Sequence, residues 1–118
     1  MSNKRFFLGI DVSTTGSKAL LIDGQGRVVS SATSPHPIST PQPLWSEQDP
    51  HDWWQSSQKS IRNAMVKAGA QSTDILAIGL TGQMHGLVLL DAQNRVLRPA
   101  ILWNDLRLWY VLQKTTNE

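Results

Sequence analysis

The sequence predicts one α/β domain built from short strands and two helices. Three apolar runs near the N-terminus are separated by polar or glycine-rich turns, which is typical of consecutive strands. A long segment with apolar residues at helical spacing comes later, and further apolar runs alternate with turns after it. The chain of 118 residues is near the usual size of a domain with a single core.

The first three predicted strands cover residues 6–10, 19–22 and 27–32. Polar residues join the first strand to the second, and a turn at residues 23–26 joins the second to the third. Short connections of this kind favour an antiparallel meander. The first run is apolar throughout, so we expect its strand to be buried on both faces.

The long helix is predicted over residues 50–68. Asp49 is suited to cap it, with Pro50 at its first position, and Gly69 is suited to end it. Residues 35–43 contain four of the six prolines and predict a loop before the helix. Helical spacing places most of the aromatic content of this segment in the core, on a face formed by Trp53, Trp54, Ser57, Ile61, Ala64, Met65 and Ala68.

The C-terminal part predicts further strands over residues 75–80, 87–90 and 95–97, with a turn at residues 91–94 between the last two. Another apolar run covers residues 99–103, and residues 106–114 are expected to be helical.

Composition excludes several functional classes. The chain has no cysteine, which rules out disulfides, cysteine-ligated zinc and thiol nucleophiles. The net charge of +2 is small and the basic residues are scattered, so nucleic acid is not an expected partner. The three histidines have no metal-ligand spacing, and the first apolar run ends at Asp11, too short for a signal peptide or a membrane span. We therefore expect a cytoplasmic protein with no membrane partner.

The turn after the first strand carries chemical information. Asp11 ends a buried run, and Ser13, Thr14, Thr15 and Lys18 follow it closely. Backbone N–H groups and hydroxyls can contact phosphate oxygens, while a carboxylate can hold Mg²⁺ directly or through water. The alternative is a hairpin turn whose Ser and Thr residues hydrogen-bond their own backbone, and this is not a Walker sequence.

A second candidate is the stretch between Gly82 and Gly86, directly after a predicted strand. Gln83 and His85 offer donors and acceptors that suit a polyhydroxylated ligand, and Met84 offers an apolar wall. A loop at the end of a rigid strand is a common place for binding residues. The alternative is a tight turn whose histidine satisfies a neighbouring group.

A third polar cluster, Asn104, Asp105 and Arg107, follows the apolar run that ends at Trp103. At a strand end these residues could line a ligand pocket. Asn104 and Asp105 could equally cap the helix that follows.

Taken together, these stretches resemble the start of the FGGY carbohydrate kinases, most closely the members that act on xylulose. The resemblance covers nearly the whole chain as far as Arg107. The matching segments are Gly9-Ile10-Asp11 with Thr14-Thr15-Gly16 and Lys18, Leu44-Trp45-Ser46-Glu47-Gln48-Asp49-Pro50, Trp53-Trp54, Gly82-Gln83-Met84-His85-Gly86, and Pro99-Ala100-Ile101-Leu102-Trp103-Asn104-Asp105 with Arg107.

The resemblance implies an actin-like, ribonuclease-H-like ATPase fold, of which residues 1–118 would be the N-terminal part of the first domain, with a mixed sheet and flanking helices. It implies MgATP-dependent phosphorylation of D-xylulose at its 5-hydroxyl. Asp11, as the Mg²⁺ ligand, and Ser13, Thr14, Thr15 and Lys18 would face the ATP phosphates. The sugar would contact Gln83, Met84, His85, Trp103, Asn104, Asp105 and Arg107.

Three departures from the family accompany this resemblance. Ser13 stands where members commonly have glycine, so its Cβ could crowd the phosphate turn. Family members are about four times longer, and their catalytic base and second domain lie beyond position 118, so no catalytic residue is expected here. The sequence after Arg107 also differs from the usual continuation, as a truncated gene, a frameshift or a deliberate cut would produce.

Three functions stay open at this stage. The first is an inactive N-terminal fragment of a kinase for D-xylulose. The second is a non-catalytic sugar-binding or self-associating module derived from a kinase, with a homodimer covering exposed apolar surface. The third is a fragment of a related kinase for gluconate, ribulose or glycerol.

Overall fold

The computed structural model describes residues 4–115 and divides the chain into two compact units. The first unit combines Met1–His36 with Trp53–Gly82, and the second combines Pro37–Asp52 with Gln83–Glu118. Each unit draws on two separated stretches of the chain, which is why the sequence alone does not reveal the division. In chain order the elements are β1 Phe6–Val12, β2 Gly16–Asp23, β3 Val28–Pro35, β4 Glu47–Gln48, α1 Pro50–Ala68, a 3₁₀ turn Ser72–Asp74, β5 Ile75–Gly82, β6 Ala100–Ile101 and α2 Leu106–Thr115.

The first unit is a four-stranded mixed sheet in the order β3-β2-β1-β5. β1, β2 and β3 form the predicted antiparallel meander, and β5 lies parallel to β1. The parallel pairing requires a crossover between β1 and β5, and α1 lies in that connection. The expectation of a mixed sheet with helices is confirmed.

The core of the first unit lies between α1 and one face of the sheet. It consists of Phe6, Leu8, Ala19, Leu21, Ala32 and Ala64. Phe7 lies between Phe6 and Leu8 in β1, so its side chain points to the opposite face of the sheet. On that face Phe7 is 38% exposed. The prediction that β1 is buried on both faces is therefore wrong, because an apolar run does not reveal whether a second layer covers the sheet.

Both ends of α1 are formed as predicted. Asp49 Oδ1 accepts a hydrogen bond of 2.9 Å from the His51 N–H, as an N-cap side chain does. At the other end Gly69 has φ +57°, its N–H donates to Val66 O, and the Ala70 N–H donates to Met65 O. These two bonds form a Schellman motif, in which a left-handed glycine satisfies the last carbonyls of a helix.

The buried face of α1 is more polar than predicted. Its buried residues are Ser56, Ser57, Ser60 and Ala64, whereas Trp54 is 62% exposed. The prediction that the aromatic residues lie mostly in the core is wrong for Trp54. At 100° per residue, its position falls at the edge of the buried face rather than within it. Small hydroxyl side chains occupy the buried positions and hydrogen-bond to the sheet instead.

The second unit contains the two-stranded antiparallel sheet of β4 and β6 and the helix α2. The strands predicted over residues 87–90 and 95–97 are wrong: only isolated bridges Leu87–Ile101 and Leu90–Val96 form there. Leu87, Leu89 and Leu90 remain 37%, 41% and 49% exposed. A two-stranded ribbon that buries little apolar surface is marginal, so the hairpin closes only around its turn. The apolar run 99–103 likewise contributes only β6 as strand.

The predicted turn between these segments is present. The Asn94 N–H donates to Asp91 O, and Asn94 adopts a left-handed φ of 61°. The Asp91 carboxylate accepts from the Gln93 and Arg95 N–H groups. Within residues 4–115, neither helix combines the length and the hydropathy needed to cross a membrane.

Candidate functional site

The first candidate site lies at the carboxyl end of β1 in the first unit. Asp11 is paired in register with Lys18 of β2 on one side and with Thr81 of β5 on the other. Because residues opposite each other in a sheet share a face, these three polar side chains form one row across three strands. Among the residues that the structure describes, neither Asp11 nor Lys18 has an ion-pair partner.

The row borders a concavity of about 480 Å³. It is lined by Gly9, Ile10, Asp11, Lys18, Leu20, Gly79, Leu80 and Thr81. An added Cβ at Gly79 would meet nothing within 4 Å, and one at Gly9 would reach only Leu20 at 3.9 Å. Paired glycines therefore leave the sheet surface low between the charged residues, so that a ligand can approach the backbone closely.

Asp11 and Lys18 are of the residue types that could hold a magnesium-bound polyphosphate. A carboxylate oxygen is the hard ligand that Mg²⁺ prefers, and a neighbouring ammonium group can balance phosphate charge. In residues 4–115 there is no group of three or more His, Cys, Asp or Glu side chains that could hold a metal ion. Mg²⁺ commonly takes one or two carboxylates and completes its shell with water and substrate phosphates, so a single carboxylate is compatible with a magnesium site.

The turn between β1 and β2 is closed by Ser13. Its N–H donates to Gly16 O at 3.0 Å, and its hydroxyl donates to the same oxygen at 2.9 Å. The Ser13 hydroxyl proton is thus engaged within the turn, as the Ser/Thr-rich turn alternative supposes. A Cβ on Gly16 would lie 2.8 Å from Ser34 O, so this position requires glycine for close strand approach.

His36, which the sequence analysis did not single out, lies buried behind this turn. Its ring Nε2 is 2.8 Å from Ser13 O, and its ring Nδ1 is 3.1 Å from Ser56 Oγ. Its backbone N–H donates to Thr15 O at 3.2 Å. The available signal was weak: a histidine directly after a predicted strand, together with serines at helical spacing in the next helix.

The Gln83–Gly86 segment belongs to the second unit. The Gln83 amide donates to Oε1 of the buried Gln48 at 3.0 Å, so the segment is tied to β4. Met84 is 63% exposed, and His85 is exposed with a left-handed φ of 55°. Such a conformation is uncommon for a residue with a Cβ and tends to occur at binding sites.

The third cluster is organised around two buried carboxylates. Asp105 Oδ2 accepts from the Ser46 N–H at 2.7 Å and from Arg107 Nη2 at 2.6 Å, and its Oδ1 accepts from the Arg107 N–H at 2.8 Å and from Nε at 3.0 Å. Arg107 Nη2 also lies 2.7 Å from Glu47 Oε1, and Arg98 pairs with the same oxygen. Asp105 is therefore the helix cap that the sequence allowed, with both carboxylate oxygens in use.

These contacts shift two pKa values. The side-chain hydrogen bonds from Arg107 are the main reason that the pKa of Asp105 falls to about 2, assisted by the Ser46 and Arg107 N–H groups and opposed by burial. The same hydrogen bonds, with those to Glu47, raise the pKa of Arg107. Both groups are therefore charged over the whole physiological range.

The two remaining predicted residues of this cluster precede Asp105. Trp103 is 49% exposed and Asn104 is exposed, both within the turn that leads into α2. Asp11 and Lys18 are paired in register on neighbouring strands of the first unit, and Asp105 and Arg107 form an ion pair in the second. Contact between these side chains and a ligand stays a prediction.

Comparison with known proteins identifies the family. Residues 6–118 match the family model described as "FGGY family of carbohydrate kinases, N-terminal domain". The chain belongs to this family of carbohydrate kinases.

Individual relatives agree with this assignment. The xylulose kinase of Escherichia coli K12 is 52% identical over 101 residues, which cover 86% of this chain and 20% of that protein. The chain therefore spans about a fifth of that relative's length.

Among solved structures, a "xyloylose kinase" from Brucella ovis superposes with a TM-score of 0.83 at 47% identity, covering 87% of this chain and 22% of that one. A gluconate kinase from Lactobacillus acidophilus superposes with a TM-score of 0.84 at 28% identity, covering 96% of this chain and 22% of that one. These neighbours confirm the predicted actin-like ATPase fold, present here as part of a domain.

Proposed function

We propose that this chain is the N-terminal portion of a kinase that phosphorylates D-xylulose at its 5-hydroxyl with MgATP. The observation that carries the proposal is the row of Asp11, Lys18 and Thr81 across the sheet, in a member of a family of sugar kinases. Several of its most similar relatives are described as xylulose kinases, which favours xylulose as the sugar.

In this proposal Asp11 holds Mg²⁺ and Lys18 neutralises phosphate charge at the carboxyl end of β1. Bound MgATP would supply the phosphoryl group, and transfer of that group depends mainly on positioning and charge neutralisation. Ser13, Thr14 and Thr15 would shape the turn beside the phosphates. Ser13 does so through its bonds to Gly16 O, so its hydroxyl closes the turn instead of donating to phosphate.

The sugar would be held by the second unit. Met84 and His85 are exposed within the Gln83–Gly86 segment, and Trp103 and Asn104 are exposed in the turn before α2. Asp105 and Arg107 would act by holding this turn, because their charged groups bond to each other. Gln83 would position the segment through its bond to Gln48.

We further propose that the 118-residue chain does not catalyse transfer by itself. The resemblance assigns the base to the part of the relatives that this chain does not span. Asp105 is buried in ion pairs, and Asp11 would be engaged with Mg²⁺, so neither is suited to take the proton from the attacking hydroxyl.

Two measurements on the purified chain test these statements. The first is ADP release with MgATP, with and without D-xylulose, for which we expect no sugar-dependent signal. The second is calorimetric titration with D-xylulose, for which we expect binding that His85→Ala weakens and that His51→Ala, an exposed control, leaves unchanged. Sugar-dependent ADP release would contradict the inactivity, and an equal or stronger response to gluconate would contradict the choice of sugar.

A second candidate function is a self-associating module. It is favoured by the edge strand β5, on which Leu76, Ile78 and Leu80 are 53%, 63% and 75% exposed. An exposed apolar edge strand is a common site of pairing between chains. Sedimentation velocity over a hundredfold range of concentration separates the candidates, since a monomer at all concentrations would exclude self-association.

A further inference from the structure

We propose that His36 is a positioning residue that holds the Ser13–Gly16 turn in the shape that receives a polyphosphate. This inference rests on the proposed function, in which the turn lies beside the ATP phosphates. It assigns a task to a buried polar side chain that no motif of the sequence includes.

His36 contacts the turn at two points. Its Nε2 lies 2.8 Å from Ser13 O, and its backbone N–H donates to Thr15 O at 3.2 Å. The side chain is buried, with the residue only 5% exposed. The ring therefore fixes the Ser13 carbonyl group against the protein, and the backbone N–H of the same residue fixes the Thr15 carbonyl group.

The partner determines which ring nitrogen carries the proton. Ser13 O is a carbonyl oxygen and can only accept, so Nε2 must donate. In the neutral ring Nδ1 is then an acceptor, and the single hydroxyl proton of Ser56 has two acceptors within reach, Nδ1 at 3.1 Å and Trp53 O at 3.2 Å. The Ser13 carbonyl group thus selects the tautomer that holds the turn, and the Ser56 hydroxyl is compatible with it.

Ser56 belongs to a hydroxyl cluster that anchors the ring to the helix and to β2. Ser56 Oγ lies 2.9 Å from Ser17 Oγ, the Ser57 hydroxyl donates to Ser17 Oγ at 3.1 Å, and the Ser60 hydroxyl donates to Ser17 O at 2.7 Å. Serines of α1 therefore hold Ser17, the residue after the turn, directly. The turn itself is connected to α1 through His36, which contacts both Ser56 and Ser13. All these atoms belong to the first unit.

This arrangement suits an anion site because of what it does with the carbonyl groups. Carbonyl oxygens repel a phosphate, whereas N–H groups attract it. Bonding Ser13 O and Thr15 O to His36 engages two acceptors of the turn with the protein. A turn that is already shaped before binding also loses less conformational entropy when the ligand arrives.

The test compares two isosteric replacements. The amide of His36→Gln can reach the position of Nε2 and donate to Ser13 O, whereas the shorter amide of His36→Asn can reach only the position of Nδ1 and Ser56. His51→Asn, a replacement of an exposed histidine, is the matched control. Thermal melting of each variant reports on the fold as a whole.

Two readouts are measured on the 118-residue chain. The first is amide hydrogen exchange at Ser13, whose N–H bonds to Gly16 O within the turn. The second is calorimetric binding of inorganic tripolyphosphate with Mg²⁺, which needs no nucleotide base. We expect His36→Asn to raise exchange at Ser13 and to weaken tripolyphosphate binding about tenfold, the effect of one lost hydrogen bond to a constrained group. His36→Gln should stay near the unaltered chain in both readouts.

The outcomes separate this inference from the proposed function. If the unaltered chain binds no tripolyphosphate, the phosphate role of the turn is overturned, whatever exchange shows. A second outcome is that the unaltered chain binds tripolyphosphate, that His36→Asn binds it equally well, and that exchange at Ser13 is unchanged. In that case the phosphate site stands and the role of His36 is overturned. Equal losses in His36→Gln and His36→Asn would also overturn it, because the donor to Ser13 O would then be irrelevant.

Discussion

The guanidinium carbon of Arg107 lies 3.4 Å from the centroid of the Trp45 ring. Stacking on the indole face leaves the guanidinium edge available for Asp105 and Glu47, and all three partners are engaged at once. A planar cation with a fixed fork of donors can do this, whereas an ammonium cannot. Arg107 thus ties the start of α2 to β4.

Replacing Arg107 should destabilise the second unit strongly. Arg107→Met would leave the buried carboxylates of Glu47 and Asp105 short of a partner, and breaking a buried ion pair costs about 3–5 kcal/mol. The measurement is the free energy of unfolding by urea, with tryptophan fluorescence as the signal. Arg27→Met is the matched control, because its ion pair with Asp23 is exposed and should contribute little. Equal losses in the two variants would show that burial is unimportant here.

Stability should fall in acid because of Asp105. Its pKa is lowered to about 2 in the folded protein, from an unfolded value near 3.8. The unfolded state therefore binds the proton more readily, so the stabilisation is complete above about pH 4 and is lost as pH falls from 4 through 2. The shift corresponds to about 2 kcal/mol. Urea unfolding between pH 2 and pH 7 should show this loss, and Asp105→Asn should reduce the slope in that window.

Two glycines of the first unit should respond differently to the same change. Gly16→Ala places a Cβ 2.8 Å from the backbone oxygen of Ser34, so β2 and β3 would have to separate. Overpacking of this kind costs about 1–3 kcal/mol. At Gly79 an added Cβ meets nothing within 4 Å, so Gly79→Ala should leave stability nearly unchanged. Thermal melting of both variants is the measurement, and a larger loss at Gly79 would contradict the close approach at Gly16.

Replacing His85 with glycine should raise the stability of the protein and weaken its binding of sugar. Its left-handed backbone is strained for a residue with a Cβ, so His85→Gly is expected to relieve about 1 kcal/mol. The same change removes a proposed sugar contact. We therefore expect a higher melting temperature together with weaker D-xylulose binding. His85→Asn, which tolerates this φ better than most residues, should change the melting temperature less. A lower melting temperature for the glycine variant would show that the side chain stabilises the segment.

The sequence predicted the local elements well where the signal lay in neighbouring residues. The meander of β1, β2 and β3 was predicted because its turns are short, and α1 because Asp49, Pro50 and Gly69 mark its ends. The turn at residues 91–94 was likewise predicted from residues that are adjacent in the sequence. The strands at 87–90 and 95–97 failed because strand formation depends on a partner and on burial, and those residues have little of either.

For the candidate sites, too, the sequence indicated the residue types but not their contacts. Chemical type and order along the chain were sufficient to single out Asp11, Lys18, Gln83, His85 and Arg107. Their contacts were not predictable from spacing. The pairing of Asp11 with Thr81 depends on the register of a parallel strand far away in sequence. The burial of Asp105 depends on Ser46 and Arg107 meeting at one carboxylate.

By itself the sequence determined the family, the order of β1, β2, β3, α1 and β5, and the residue types available for chemistry, because these follow from composition, turns and motifs along the chain. Only the tertiary structure decided that Trp54 is exposed, that Asp105 is a buried cap, and that His36 lies behind the Ser13 turn. The physical reason is that burial and hydrogen bonding depend on partners distant in sequence. For His36 and Ser56 that separation is 20 residues, and for Ser46 and Asp105 it is 59.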